Sequence, residues 1–281
     1  MSAVAWYNGT LGSPETMTVP LLDRAVFFGD GCYEACPARG TRPFALNAHF
    51  DRFYRSLTAL SIPFCMDRDA LKAILTACLA AANEPYAALY WQVSRATAPR
   101  VHAFPENDAK PNLLVTVTPA EPVPVERTMR LMTAEDVRYA MCDVKTLNLI
   151  PNVLACERAK NAGADEAVLI RDGFVTEGSH TNVLVLKDGT LFTHPTDNRI
   201  LAGVTRAILL DLCRKNGVPV AERAFSADAL FEADEVLVTS STLGVRRVSE
   251  IDRKPVGGKA EQLFFMLRDA YAESFDGETN A

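Results

Sequence analysis

Lys145 stands in "MCDVKTLNLIPNVLA" (141–155) among Val144, Leu147, Leu149 and Ile150, with no acid three or four residues to either side. An amine among apolar neighbours loses solvation of its charged form, its pKa falls, and a neutral amine can attack a carbonyl. "LAGVTRA" (201–207) places Val204 and Thr205 where a helix opens, so free backbone N–H groups and a hydroxyl face one point suited to an anion. "VTSSTLG" (238–244) offers Ser240, Ser241 and Thr242 in a single turn, three hydroxyls suited to phosphate oxygens. Glu177 lies in a strand pattern between Thr176 and Gly178, a carboxylate able to hold a ring-nitrogen proton. Arg100 and His102 alternate in "APRVHAFP" (98–105), so in an extended segment both side chains point one way and form a carboxylate clamp.

Each of these has a plain structural reading: a lysine stem that packs, an ordinary helix start, a Ser/Thr turn, a solvent-facing strand acid, a polar loop. Taken together they supply a Schiff-base lysine, two phosphate-binding turns, an acid for a pyridine nitrogen and a carboxylate clamp. That set matches pyridoxal 5′-phosphate acting on an amino acid.

The elements that must position these groups are legible as periodicities. Phe50, Phe53, Leu57 and Leu60 recur at helical spacing after Asn47, an expected N-cap, and Leu71, Ile74, Leu75 and Leu79 do so after Asp67. "AALYWQVSRA" (87–96) and "NLLVTVTP" (112–119) read as strands. "TPAEPVPVERT" (118–128) is proline-rich and is expected to link two domains. Beyond it, Asp172-Gly173 and Asp188-Gly189 between apolar runs predict hairpins. One helix is expected after Lys145, capped by Asn148 with Pro151 in its first turn, and another over 203–217. The expectation is α+β: a smaller N-terminal α/β domain (1–118), a linker (119–127) and a larger, mostly β C-terminal domain (128–281).

The composition is that of an ordinary globular chain: 281 residues, 48% apolar, 23% charged, net charge −6. The acidic balance argues against a nucleic acid or an anionic membrane as partner. No signal peptide and no apolar run of membrane length is read. The seven scattered cysteines are expected to be reduced, as in a cytoplasmic protein. The four histidines lack metal-binding spacing, so no metal site is expected.

The motifs "DRAVFFGDGCYEA", "HFDRFYRS", "APRVHAFP", "DVKTLNLIPNVLA", "DEAVLIRDGFVTEGSHTNV" and "ILAGVTRA", in that order, resemble the fold-type IV pyridoxal-phosphate enzymes, closest to their D-amino acid aminotransferase branch. The resemblance implies a two-domain fold with a C-terminal cofactor-binding pseudo-barrel, pyridoxal 5′-phosphate as cofactor, ping-pong transfer from a D-amino acid to a 2-oxo acid, and a homodimer. It implies Lys145 as the catalytic lysine carrying the cofactor as a Schiff base and Glu177 as the partner of the pyridine nitrogen. Arg52, Thr205 with the Val204 amide, and Ser241 are implied as phosphate contacts. Tyr33, Arg100 and His102 are implied to bind the substrate carboxylate, the last two reaching in from the partner subunit. The chain departs from the family pattern at Cys36-Pro37-Ala38 on an expected pocket-lining strand, at His180 near the cofactor, and at Arg246-Arg247. Branched-chain L-aminotransferase, R-selective amine transaminase and aminodeoxychorismate lyase remain alternatives within the fold. A non-catalytic dimeric binding protein is opposed by the retention of Lys145 and Glu177.

Overall fold

The computed structural model of the chain describes residues 3–106, 108–121 and 127–280. Most of the expected linker, residues 122–126, lies outside the described residues. The chain divides into two compact units, Met1–Pro122 with Val144–Asn148 and Glu278–Ala281, and Val123–Asp143 with Leu149–Gly277. The short piece around Lys145 therefore packs with the first unit, although the sequence division placed it in the second.

The first unit contains β1 (Val4–Tyr7), β2 (Thr10–Gly12), α1 (Arg24–Phe28), β3 (Gly31–Arg39), β4 (Arg42–Pro43), α2 (Leu46–Ala59), α3 (Arg68–Ala82), β5 (Tyr86–Ser94) and β6 (Asn112–Pro119). Its sheet has the order β2-β1-β6-β5-β3-β4, with every pairing antiparallel. Strand alternation turns Cys32, Glu34, Cys36 and Ala38 of β3, and Leu89, Trp91 and Val93 of β5, toward a core shared with Phe50, Phe53 and Leu57 of α2 and Leu71, Leu75 and Leu79 of α3. Trp91 is fully buried, with Phe50 and Phe53 edge-on to it at 6.0 and 5.9 Å. Each such side chain stabilises the unit by about 1.5–3 kcal/mol relative to exposure.

Asp67 caps α3 as expected, accepting from the Ala70 amide at 2.7 Å. Asn47 does not cap α2. That helix begins two residues earlier, after Ala45 in the left-handed conformation at φ 53°, which leaves Asn47 inside the first turn. Asn148 is likewise not the N-cap of α4, a position held by Leu149; its amide donates to Gly29 O at 2.9 Å and to Thr146 Oγ1 at 3.0 Å.

The second unit contains β7 (Met129–Glu135), α4 (Ile150–Asn161), β8 (Glu166–Arg171), β9 (Phe174–Gly178), β10 (Asn182–Lys187), β11 (Thr190–Thr193), α5 (Val204–Lys215), β12 (Val220–Glu222), α6 (Ala229–Glu232), β13 (Glu235–Ser240), β14 (Gly244–Ile251), β15 (Lys254–Pro255) and α7 (Glu261–Asn280) up to Gly277. The sheet order is β12-β11-β10-β13-β14-β7-β8-β9, with β15 beside β14. Both predicted hairpins form. Asp172-Gly173 and Asp188-Gly189 have positive φ at both residues, as a two-residue turn matched to strand twist requires. A tight turn at 179–181, with Gly178 N donating to Thr181 O at 2.6 Å, brings β9 back against β10 and curls the sheet. Helix α7 was not anticipated. Its buried stripe of Phe264, Leu267 and Tyr271 is blurred by exposed Phe265 and Met266.

Candidate active site

The first unit holds Lys145 by its backbone. Tyr33 N donates to Lys145 O at 2.9 Å, Lys145 N donates to Ser56 Oγ at 3.3 Å, and Thr146 bridges to Cys32 of β3. The Lys145 ammonium lies 4.3 Å from the centroid of the Tyr33 ring. Tyr33 is in turn stacked on Tyr90 at 5.4 Å. Among the described residues Lys145 has no carboxylate partner. Its half-buried ammonium faces an aromatic ring, which attracts a cation without neutralising it. Two residues proposed from the sequence, Lys145 and Tyr33, are thus brought together.

Arg52 lies beneath them in a buried network. Its Nε donates to Glu34 Oε1 at 2.7 Å and its Nη2 to Glu34 Oε2 at 2.8 Å, while His49 Nδ1 sits 2.7 Å from the same carboxylate. Burial alone would raise Glu34, but Arg52 and His49 hold it down at about 2. His49 is pushed below its ordinary range, first by burial and further by the Arg52 and Lys145 cations, against the pull of Glu34. Both depressed values give stability that is lost on acidification. The Glu34 contribution is complete above its ordinary value of 4.5 and disappears as pH falls toward about 2. Glu34→Gln is expected to lower stability near neutral pH by about 3–5 kcal/mol, because Arg52 loses its buried counter-charge. The same variant should flatten the loss of stability between pH 4.5 and 2. Urea midpoints measured across pH check this, and an unchanged acid limb would assign the loss to other carboxylates.

Arg100 and His102 lie in an exposed loop, not in a strand. They converge nonetheless on one ring: the Arg100 guanidinium is 5.5 Å and the His102 ring 5.3 Å from the Phe28 centroid. The loop is pinned by cations that the sequence reading passed over. Arg24 donates to Val101 O at 2.6 Å and Ala103 O at 3.3 Å, and Arg95 lies 3.7 Å over the Phe104 ring. Both arginines bind Asp30, whose carboxyl they hold below its ordinary range against the effect of burial. Among the described residues, neither Arg100 nor His102 contacts Tyr33 or Lys145.

The second unit builds a site around Glu177, which is 6% exposed. Arg138 Nη1 donates to its Oε1, while Oε2 accepts from Asn182 Nδ2 and from Leu201 N, each at 3.0 Å. Arg138 is itself gripped by Asp136, with two bonds of 2.9 Å. Burial would raise Asp136 and lower Arg138, yet the ion pairing reverses both shifts. Glu177 thus accepts from three N–H donors, the setting of an acceptor suited to a pyridinium N–H. Arg138 was missed because nothing in "EDVRYA" (135–140) sets it apart from a surface arginine.

The helix start at Val204 and Thr205 is tied to the same acid. Asn182 Nδ2 also donates to Leu201 O at 2.9 Å. At Gly203, which precedes α5, a Cβ would fall 1.9 Å from Asn182 Oδ1, so only glycine admits this approach. The first backbone bond of α5 runs from Ala207 N to Gly203 O, which leaves the amides of 204–206 without partners inside the helix. Thr205 Oγ1 lies 3.5 Å from the Tyr271 hydroxyl, and a Cβ on Gly244 would lie 3.1 Å from the Tyr271 ring. The two turns that could take phosphate, 203–205 and 240–244, thus flank one tyrosine. In the second turn Ser240 Oγ accepts from Leu243 N and lies 3.3 Å from Thr242 Oγ1, with Ser241 half-buried between them.

The departures sort differently from their expected roles. Cys36 and Ala38 face the core of the first unit, not a pocket; only Pro37 shares the face of Tyr33. Pro37 fits its strand because its carbonyl accepts from Phe44 N on the side away from β5, where its missing N–H would also point. Arg247 pairs with buried Glu235 and with Glu261, a structural role. His180 lies against Glu166, Ser179 and Cys156.

The chain matches the sequence model described as Amino-transferase class IV over residues 31–251. It is 37% identical to the D-alanine aminotransferase of Bacillus licheniformis over 256 residues, 90% of each chain. The branched-chain aminotransferase of Thermoproteus uzoniensis with norvaline has a TM-score of 0.89 at 21% identity, covering 99% of this chain and 96% of that one. A T.th. branched-chain amino acid aminotransferase with pyridoxamine 5′-phosphate also has a TM-score of 0.89, at 24% identity, covering 99% and 98%. At these identities the two structures show the fold, and it is the α+β fold expected from the sequence.

Proposed function

Because the chain belongs to the class IV amino-transferases, we propose that it moves the amino group of a D-amino acid to a 2-oxo acid with pyridoxal 5′-phosphate, as a cytoplasmic homodimer. When bound, the cofactor supplies an aldehyde for condensation with amines and a ring that takes up the electron pair released at the α-carbon. The residues present fit such a group. Glu177 accepts from Arg138 and from Asn182, and through Asn182 it belongs to the same cluster as the helix start at Val204 and Thr205. A ring nitrogen and a phosphate on one small molecule need a cluster of this kind.

In this reading Lys145 Nζ would hold the cofactor through its aldehyde and would move the substrate α-proton. Glu177 would accept the ring N–H and keep that nitrogen protonated. The Val204 and Thr205 amides, the Thr205 hydroxyl, Ser241 and Arg52 bind phosphate. Tyr33 orients the lysine and the substrate carboxylate.

The observation that carries the D-amino acid reading is the pinned loop at 98–105, which presents Arg100 and His102 together against Phe28. A carboxylate held there would fix one end of the substrate and so select its hand. Arg100→Ala is expected to slow the half-reaction with D-alanine and D-glutamate alike by about tenfold to a hundredfold, the worth of one charge-assisted bond. An R-amine, which has no carboxylate, should be far less affected. A loss confined to D-glutamate would move Arg100 to the substrate side chain. Equal wild-type rates with L- and D-alanine would overturn the D-specific reading itself.

Support for the dimer comes from apolar side chains around the same loop: Leu21 is 74%, Phe104 63%, Val101 58% and Val26 53% exposed. Sedimentation at micromolar concentration tests it. Among the described residues no helix is long and apolar enough to cross a membrane.

A further inference from the structure

We infer that Cys156, Glu166 and His180 form a binding site for a divalent cation of the zinc class. The three come from different elements: Cys156 from α4, Glu166 from the first position of β8, and His180 from the turn joining β9 to β10. Their Sγ, carboxylate oxygen and ring nitrogen lie within 4.8 Å of one another.

The distribution of partners on Glu166 points to an ion. This carboxylate is completely buried. Its Oε1 accepts from Ala167 N at 2.9 Å, from Ser179 N at 3.0 Å and from Ser179 Oγ. Its Oε2 forms an ion pair at 2.8 Å with His180 Nδ1 and meets no other donor among the described residues. A carboxylate oxygen carries two lone pairs, so one imidazole nitrogen leaves Oε2 with capacity for a further electropositive partner in a fully buried position.

The histidine geometry separates an ion site from a nucleophilic triad. In a thiol–imidazole–carboxylate relay the acid and the nucleophile use opposite ring nitrogens. Here Cys156 Sγ, at 3.6 Å, and Glu166 Oε2, at 2.8 Å, both face Nδ1. A single Nδ1 proton directed at Oε2, at 2.8 Å, can reach Sγ, at 3.6 Å, only as a weak shared bond. A cation at the point where the three donors converge takes one lone pair from each.

One sulfur, one imidazole and one carboxylate are a zinc-type set, and the thiolate disfavours calcium or magnesium. The His180 side chain is 47% exposed, which provides an entry path and leaves a fourth position for water. Ser179 Oγ, 2.8 Å from Cys156 Sγ and bonded to Glu166, orients two of the three ligands. The expectation of no metal site, drawn from histidine spacing, is revised by this proposal.

The test uses the cofactor-loaded protein, stripped with a chelator and dialysed to equilibrium against Zn²⁺. Wild type should bind one zinc per chain, and its X-ray absorption should report one sulfur at about 2.3 Å with nitrogen and oxygen at about 2.0–2.2 Å. Cys156→Ala and His180→Ser should each weaken binding more than about a hundredfold, beyond the loss typical of outer partners. Zinc should also protect Cys156 from alkylation. Less than one equivalent in wild type, a scattering shell without sulfur, undiminished binding in His180→Ser, or alkylation indifferent to zinc would each overturn the site. His180 is half exposed, so its variant tests the proposal even if Cys156→Ala fails to fold.

Discussion

Lys145→Ala is expected to reduce transamination by more than about a thousandfold. General acid–base transfer alone contributes about 10²–10⁴, and the variant also loses the covalent hold on the cofactor. The protein should still fold, since Lys145 is tied to Tyr33 and Ser56 through backbone atoms that alanine retains. It should also still bind the cofactor through the contacts proposed for the second unit. An added small amine should restore part of the proton transfer, an effect no merely structural lysine would show. Borohydride reduction of the wild-type holoenzyme should fix the cofactor to the peptide containing Lys145. Label recovered on Lys160 or Lys187 instead would remove Lys145 from the mechanism.

Glu177→Gln is expected to slow α-proton removal by about 10²–10³ while leaving the Lys145 linkage in place. A preorganised charge lost from a dry site costs about that much. An amide at this position cannot hold a ring nitrogen protonated, because it offers no negative charge. The substitution also leaves Arg138 buried with only Asp136 for counter-charge, so stability should fall by about 3–5 kcal/mol. Single-turnover rates with D-alanine separate the two effects: a chemical role slows the step in folded, cofactor-loaded protein, whereas a structural role lowers only the melting temperature. Glu177→Asp should recover part of the rate by restoring the charge. Unchanged rates in Glu177→Gln would show that another group protonates the ring.

The sequence by itself determined what local chemistry governs. The apolar period of α2 and α3, the Asp67 cap and the two Asp-Gly turns follow from side chains a few residues apart, and all form as read. The order of motifs pointed to the family and to Lys145 and Glu177 as its chemical centres. Tertiary structure decided what depends on contacts between distant residues. Asn47 has the right side chain for a cap, but Ala45 turns the chain two residues too early for it. Cys36 and Ala38 read as pocket residues until strand register placed them in the core. Arg138 has no local signature; its meaning comes from Glu177, 39 residues away. The grouping of Cys156, Glu166 and His180 is likewise invisible to spacing rules, which look for ligands along one element. A buried charge is defined by what folding places around it, and that environment is assembled from strands and helices whose pairing no short stretch of sequence encodes.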